Sequence, residues 1–357
     1  MGLLQESDRG ASVAGPYQPD IYGISACARG WDTYPVADEQ SPIPESRPSA
    51  RTGGAVAVLL GAAAWGSTGT TAHFAPATAT SASIGAARIA LGGLLLLAVA
   101  TCTRARRFAV RRLLRAGRTR RVAIMAAAAA VAGYQLCFFA AVRSTGVAIG
   151  TVVAIGSAPV LTGALSRLTG GPLLDARWIV ATVAAVAGCA VLVTSGRTAG
   201  VSAAGIGLAV AAGLCYAIYA VTAARLISAD NPESAVMGLL FGGAAVLLAP
   251  VLAAGSPGWL LTGRGLAVTA YLGIVTTALA YLSYGRGLRT VPAPVAVTLG
   301  LAEPVVAAIL GLVVLGERLT ATDVVGLALV GLGLATLVSG PRLAARPHRL
   351  SSPGKPG

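Results

Sequence analysis

The chain has 357 residues, of which 55% are apolar, 11% charged and 46 glycine, and this excludes an ordinary soluble domain, where about a quarter of the residues carry charge. The formal charge of +14 does not describe a nucleic-acid groove, because the basic residues are arginines apart from Lys355 and stand between or beyond apolar runs. Cys27, Cys102, Cys137, Cys189 and Cys215 are scattered singly, and His73 and His348 lie far apart, so no C-x-x-C or H-E-x-x-H metal site can be built and no cofactor or metal is expected.

Residues 1–52 are rich in Ser, Pro and Gly, with seven acids against four arginines and no amphipathic period, and are expected to form a disordered cytoplasmic tail. Met1 to Gly10 has neither the basic start nor the apolar core of a secretory signal. From Gly53 the chain becomes ten apolar stretches, at 53–74, 82–103, 122–142, 147–166, 177–195, 203–224, 234–254, 265–285, 292–315 and 321–339. Each matches the roughly 20 residues needed to cross a ~30 Å hydrocarbon layer, and a segment with its backbone in hydrocarbon must be helical. Residues 341–357 form a basic C-terminal tail.

Arginine placement orients the spans. The connection Arg104 to Arg121 alone holds nine arginines, and alternating sides from there puts 22 of the 27 basic residues on one face. Arg143, Arg197, Arg264 and Arg318 fall on the other, and Arg88 lies within a span. Basic loops are retained in the cytoplasm, so both termini are expected there, with the chain a multi-pass protein of the plasma membrane.

Ala158-Pro159, a span, then Ser195-Gly196 is answered about 145 residues later by Glu303-Pro304, a span, then Ser339-Gly340. The chain therefore reads as a duplication, 53–196 and 203–340. Five spans per copy is an odd number, so the second copy enters the membrane from the opposite side, which gives inverted repeats. The expected fold is all-α and integral to the membrane, with ten transmembrane helices as two inverted five-helix repeats.

Several stretches carry a family resemblance. Ala-Ala-Ala-Trp65-Gly-Ser, Ala-Ala-Arg88-Ile-Ala-Leu, Thr-Ala-Leu-Ala-Tyr281, Leu-Ala-Glu303-Pro304-Val and Leu-Gly316-Glu317-Arg318-Leu, in this order, resemble the EamA family of the drug/metabolite transporter superfamily over residues 53–340. The first half departs from the pattern, with Gly170-Gly171-Pro172 in place of Gly-Glu-Arg and Ala158 in place of the glutamate. The resemblance implies a ten-helix transporter of small metabolites, often outward, with amino acids and drug-like compounds among family substrates.

Glu303 is the one carboxylate within the apolar part of a span. An ionised acid there costs at least ~2.5–3.5 kcal/mol on insertion scales, so it must be paired, protonated or facing a wet cavity; the competing role is interhelical glue. Pro304 cannot donate a backbone hydrogen bond and is expected to free a carbonyl beside the carboxylate. Arg88, about 9 Å from the outer end of its span, is placed either to bind an anionic substrate group or to snorkel outward, and a direct pair with Glu303 would need helix tilt or water. Trp65, Tyr134, Gln135, Tyr216, Tyr219, Tyr281 and Tyr284 offer ring faces and hydrogen-bonding groups to a cavity, or serve packing. Gln135, an amide at mid-span, must find partners. Gly146-x-x-x-Gly150 and Gly238-x-x-x-Gly242 are expected to let helices approach closely, while Glu317, Arg318 and Asp323 read as solvated caps.

These features predict a secondary transporter, an exporter with a small-molecule substrate, working by alternating access in the lipid bilayer with protons as candidate coupling ions. A structural or channel-like membrane subunit without coupled transport is the alternative. No G-x-S-x-G elbow is present, and with a single tail lysine no phosphate-binding loop, so neither an enzyme nor a self-powered pump is expected. No nucleic-acid partner is expected, and oligomeric state is not encoded in any motif.

Overall fold

The computed structural model describes residues 48–171, 174–194, 202–255, 257–316 and 320–338. Residues 1–47 and 341–357, Ser195-Gly196, Ser339-Gly340, Pro172, Arg197, Glu317 and Arg318, with the expectations attached to them, lie outside the described residues, and the first helix begins at Pro48, inside the segment 1–52 expected to be a tail. The described elements are all helical. Ten spans run Pro48–His73, Ser81–Thr101, Arg118–Thr145, Val147–Leu168, Ala176–Thr194, Ala203–Ser228, Glu233–Ala254, Gly263–Gly287, Ala293–Leu315 and Ala321–Val338. Nine are long and apolar enough to cross a membrane, and the fifth is apolar over the shorter stretch Ala176–Leu192.

Side-chain size is sorted inside out, as lipid solvation requires. Ala62, Ala127, Ala212, Ala217 and Ala220 are nearly inaccessible, whereas Val246 and Val313 are more than 70% exposed on the outer surface. Small residues inward let helix backbones approach and gain dispersion contacts where no hydrophobic drive separates helix from lipid. Helix starts are set by hydroxyl caps: Thr80, Thr103, Ser202 and Thr262 each accept a backbone N–H from the first turn of the helix they precede. Thr320 and Asp323 cap the tenth span reciprocally, so Asp323 is the solvated cap expected from its position.

Gly146 corrects its sequence reading. It sits between helices at φ +83 as the single-residue joint of the third and fourth spans, and Gly150 packs back on Val142 within that hairpin. A backbone turn in the left-handed region uses glycine for its missing Cβ, not for helix–helix packing. Gly238 and Gly242 do pack against the second span, beside Leu96 and Leu97.

The packing mirrors the duplication. The first span packs on the eighth and ninth, and the sixth on the third and fourth; the second pairs with the seventh, and the fifth with the tenth. Adding five to each span number maps this set onto itself. Two bundles result, one of spans one, eight and nine and the other of three, four and six, each with a helix borrowed from the opposite repeat. Gly66 and Gly213 each mark a close approach of helix backbones. A Cβ on Gly66 would stand 2.6 Å from the Glu303 carbonyl, and one on Gly213 would stand 2.9 Å from the Ala154 carbonyl.

Loop contacts sort the two faces. Arg112 reaches the turn at Asp230 and Asn231, Glu233 pairs with Arg289 (3.2 Å) and Arg286 (3.7 Å), and Gly54 abuts Thr290, which brings the arginine-rich connections together on one side. On the other side Gly205 meets Ser144 and Gly255 meets Ser83. Gly213→Leu should lower the thermal midpoint of the detergent-solubilised protein by several degrees, through overpacking worth ~1–3 kcal/mol or more. Gly331→Leu, where no atom lies within 4 Å of an added Cβ, should leave it unchanged.

Candidate functional site

The ninth span is not one helix. It runs helical over Ala293–Leu299, breaks at Gly300 and Leu301, and resumes at Ala302–Leu315. Pro292 and Pro294 open the first piece, where a proline's missing N–H is no loss. Pro304 falls in the first turn of the second piece, where it too has no intrahelical partner to lose. The disturbance expected at Pro304 therefore lies upstream, at Gly300. Its consequence is that Glu303 occupies the first turn of a helix that starts within the span, where the positive end of the helix dipole favours a carboxylate, while its own N–H donates to the Gly300 carbonyl at 3.0 Å. Such half-helix starts are a recurrent way of holding charge inside a bilayer.

The eighth span carries a second irregularity close by. Between Gly263–Gly273 and Ala280–Gly287 it widens into a π-turn over Ile274–Leu279, where Thr276 and Thr277 both donate to the Leu272 carbonyl, at 2.8 and 2.9 Å. The wider turn re-aims the side chains of the next helical segment, Tyr281 and Tyr284 among them. These rings pack on Trp65 of the first span, with centroids 5.0 and 5.3 Å away. From Tyr281 the contacts continue to Phe241 (3.9 Å) and Tyr219 (6.2 Å), then through Tyr216 (5.0 Å) to Tyr134 (6.1 Å). This chain of rings crosses from the bundle of spans one, eight and nine to that of three, four and six.

Arg88 and Glu303 flank the rings. Arg88 of the second span and Glu303 of the ninth supply the charges nearest Tyr281 and Tyr134. The two do not meet as a direct ion pair among the described residues, so a gap separates opposite charges. Glu303, Arg88, Tyr134, Tyr216 and Tyr281 all keep part of their surface accessible, whereas Trp65 and Tyr284 are buried at 5% and 0%. Among the described residues, four buried polar atoms here have no hydrogen-bond partner: Trp65 Nε1, Arg88 Nε, Tyr216 Oη and Tyr284 Oη. Trp65 Nε1 and Arg88 Nε can only donate. Buried donors are almost always satisfied, so each of these open groups calls for a partner.

Five of the six site residues expected from sequence therefore converge: Glu303, Arg88, Trp65, Tyr134 and Tyr281. Gln135 goes elsewhere. It is 5% exposed and donates to the Gly85 carbonyl at 3.2 Å, joining the second and third spans beside a groove of about 560 Å³ that opens past Leu136 and Phe139. A mid-span amide found its partner in a neighbouring helix backbone. Phe241, the Gly66 approach and the π-turn were not anticipated. Gly300 and Pro304 flanking a single acid within one apolar span was the available signal for the break. Among the described residues no group of three His, Cys, Asp or Glu converges as a metal site.

The profile of the EamA-like transporter family matches this chain twice, over residues 52–194 and 203–339. An uncharacterised transporter of Bacillus subtilis strain 168, YwfM, is 38% identical over 285 residues, covering 80% of this chain and 93% of its own. The threonine/homoserine exporter RhtA of Escherichia coli K12 is 30% identical over 247 residues, 68% of this chain and 76% of its own. A solved crystal structure at 22% identity superposes with a TM-score of 0.66, covering 82% of this chain and 96% of that one, and so shares its fold. The unpartnered Tyr284 hydroxyl yields a separable expectation. Tyr284→Phe should leave the thermal midpoint unchanged or slightly higher, since deleting an unsatisfied buried hydroxyl removes a burden of roughly 1–3 kcal/mol, while solute flux in proteoliposomes falls.

Proposed function

This chain belongs to the EamA-like transporter family, and from that membership we propose that it is a secondary transporter exporting small zwitterionic metabolites of the amino-acid type. The observation that carries this reading is that Glu303 and Arg88, two opposite charges within the spans, form no ion pair among the described residues, while Arg88 Nε, Trp65 Nε1 and two tyrosine hydroxyls have no partner. A zwitterion would lay its ammonium on the Glu303 carboxylate and its carboxylate toward Arg88, Trp65 Nε1 and the tyrosine hydroxyls. Its short apolar part would lie on the ring faces of Tyr281 and Tyr216. A net-neutral ligand with two charged ends fits a site that holds one charge of each sign. The relatives named for threonine and homoserine export, at 29–30% identity, support the same class.

Transport follows from the packing. Trp65, Tyr281, Tyr284 and Glu303 stand on one bundle and Tyr134, Tyr216 and Tyr219 on the other, so rocking one bundle against the other opens the site to alternate faces. The repeats 53–196 and 203–340 interlock through their exchanged first and sixth spans, and each contributes to both moving bodies. The clustering of the arginine-rich loops supports a cytoplasmic assignment of that face, with the termini on the same side, in the plasma membrane.

Proton coupling has a simple basis. When the substrate ammonium leaves, the carboxylate of Glu303 loses its closest compensation in a medium where an uncompensated charge costs at least ~2.5–3.5 kcal/mol. A proton taken up at that moment restores neutrality, and since ammonium and proton compete for one carboxylate, the result is substrate–proton exchange. In proteoliposomes with an imposed pH gradient, radiolabelled threonine and related amino acids should move against their own gradient. Glu303→Gln should abolish the gradient-driven component, by on the order of tenfold or more. Unchanged driven flux in that variant would remove Glu303 from the coupling step.

A further inference from the structure

The connection between the second and third spans is itself a helix, Arg104–Arg115, and the transport site makes no use of it. Only Cys102 and Thr103 separate it from the second span, and only Ala116 and Gly117 from the third. Tethers this short, spanning at most ~3.6 Å per residue, hold the helix where both spans leave the hydrocarbon. It therefore lies at headgroup depth.

Its rotation about its own axis is fixed from the protein side. Ala109, Val110 and Leu113 are buried, and the helix packs on the second and seventh spans. Arg112 Nη2 donates to the Asp230 carbonyl (3.0 Å) and to the Asn231 side-chain oxygen (2.8 Å). Asn231 is 4% exposed and itself donates to the Leu226 carbonyl at 2.7 Å, so the anchor is held in place.

The face turned away from these contacts carries Arg104, Arg107, Phe108, Arg111 and Arg115, the i, i+3, i+4, i+7, i+11 spacing of one helical stripe. All five are exposed, Phe108 by 69%. None of these four arginines has an ion pair or hydrogen bond from its side chain among the described residues. No acidic residue occurs between Arg104 and Arg121. Unpaired guanidinium groups match phosphate oxygens in a bidentate way, and an exposed phenyl ring at headgroup depth gains by entering the acyl boundary. A soluble acidic partner would answer the charge but not the depth at which the ring is held.

We propose that this helix is a docking surface for the anionic phospholipids of the leaflet on the arginine-rich face, with Arg104, Arg107, Arg111 and Arg115 on the phosphates and Phe108 among the upper acyl chains. Each arginine near such a surface adds to the attraction, and four acting together give a strong dependence on lipid charge.

A helix of this length is marginal on its own, so its amides report docking. Hydrogen–deuterium exchange of the full-length protein would be followed in nanodiscs of phosphatidylcholine alone and of phosphatidylcholine mixed with phosphatidylglycerol. Exchange over residues 104–117 should slow by on the order of tenfold in the anionic discs and regain its neutral-disc rate when salt is raised. The quadruple variant Arg104→Gln, Arg107→Gln, Arg111→Gln, Arg115→Gln should lose the difference while the fourth and tenth spans exchange as in the wild type. Equal wild-type exchange in the two kinds of disc would overturn the proposal, a result that needs no variant to fold. So would protection produced in neutral discs by soluble glycerol phosphate alone, which would make the stripe a phosphate site and not a bilayer contact.

Discussion

A carboxylate halfway through a bilayer has to be compensated, and the irregular features of this protein gather where the compensation is made. The break at Gly300 places Glu303 at the positive end of a helix dipole. Arg88 supplies a positive charge from the second span without touching it, and a shell of tyrosines and Trp65 supplies dipoles that can turn toward whatever charge is present. Away from this site the backbone is regular helix, because hydrocarbon leaves no other way to satisfy its polar groups. Irregular backbone is tolerated where polar groups meet it, and here the departure at Gly300 lies beside the Tyr216 hydroxyl while that at Ile274–Leu279 leads into the segment of Tyr281 and Tyr284.

The scaffold is symmetric and the site is not. Span packing repeats under the inverted relation. At the equivalent of Glu303 stands Ala158, buried at 1% in a fourth span whose helix continues through Pro159. Duplication therefore supplies two related bundles, while only the second copy carries the acid.

Much of this was legible in the sequence, and the reasons for the rest are physical. Span number and inverted relation come from apolar run length and arginine alternation, signals set by the bilayer and so independent of packing detail. Glu303, Arg88, Trp65, Tyr134 and Tyr281 were recognisable because polar groups in apolar spans are expensive and must be used. Gln135 was equally conspicuous, yet its partner is a backbone carbonyl at Gly85, and nothing in a linear sequence distinguishes an amide aimed at a cavity from one aimed at a neighbouring helix. The π-turn carries no composition signature. Gly146 in a glycine pair reads as packing until its φ of +83 is known. The arginine helix was hidden by its own charge, which explained the connection as a topology signal and drew attention away from the buried stripe of Ala109, Val110 and Leu113.

The central claim is that the bundle of spans one, eight and nine moves against that of three, four and six, and spin-label distances test it most directly. In a background free of native cysteines, one pair of labels would report the face away from the arginine-rich loops, at Ser144 and Arg264, and a second pair the arginine-rich face, at Arg167 and Arg289; all four positions are exposed. Adding a transported amino acid, or shifting pH, should move the two distances in opposite senses, one face closing as the other opens. Two distances that stay fixed, or change in the same sense, while the labelled protein still transports, would contradict the account.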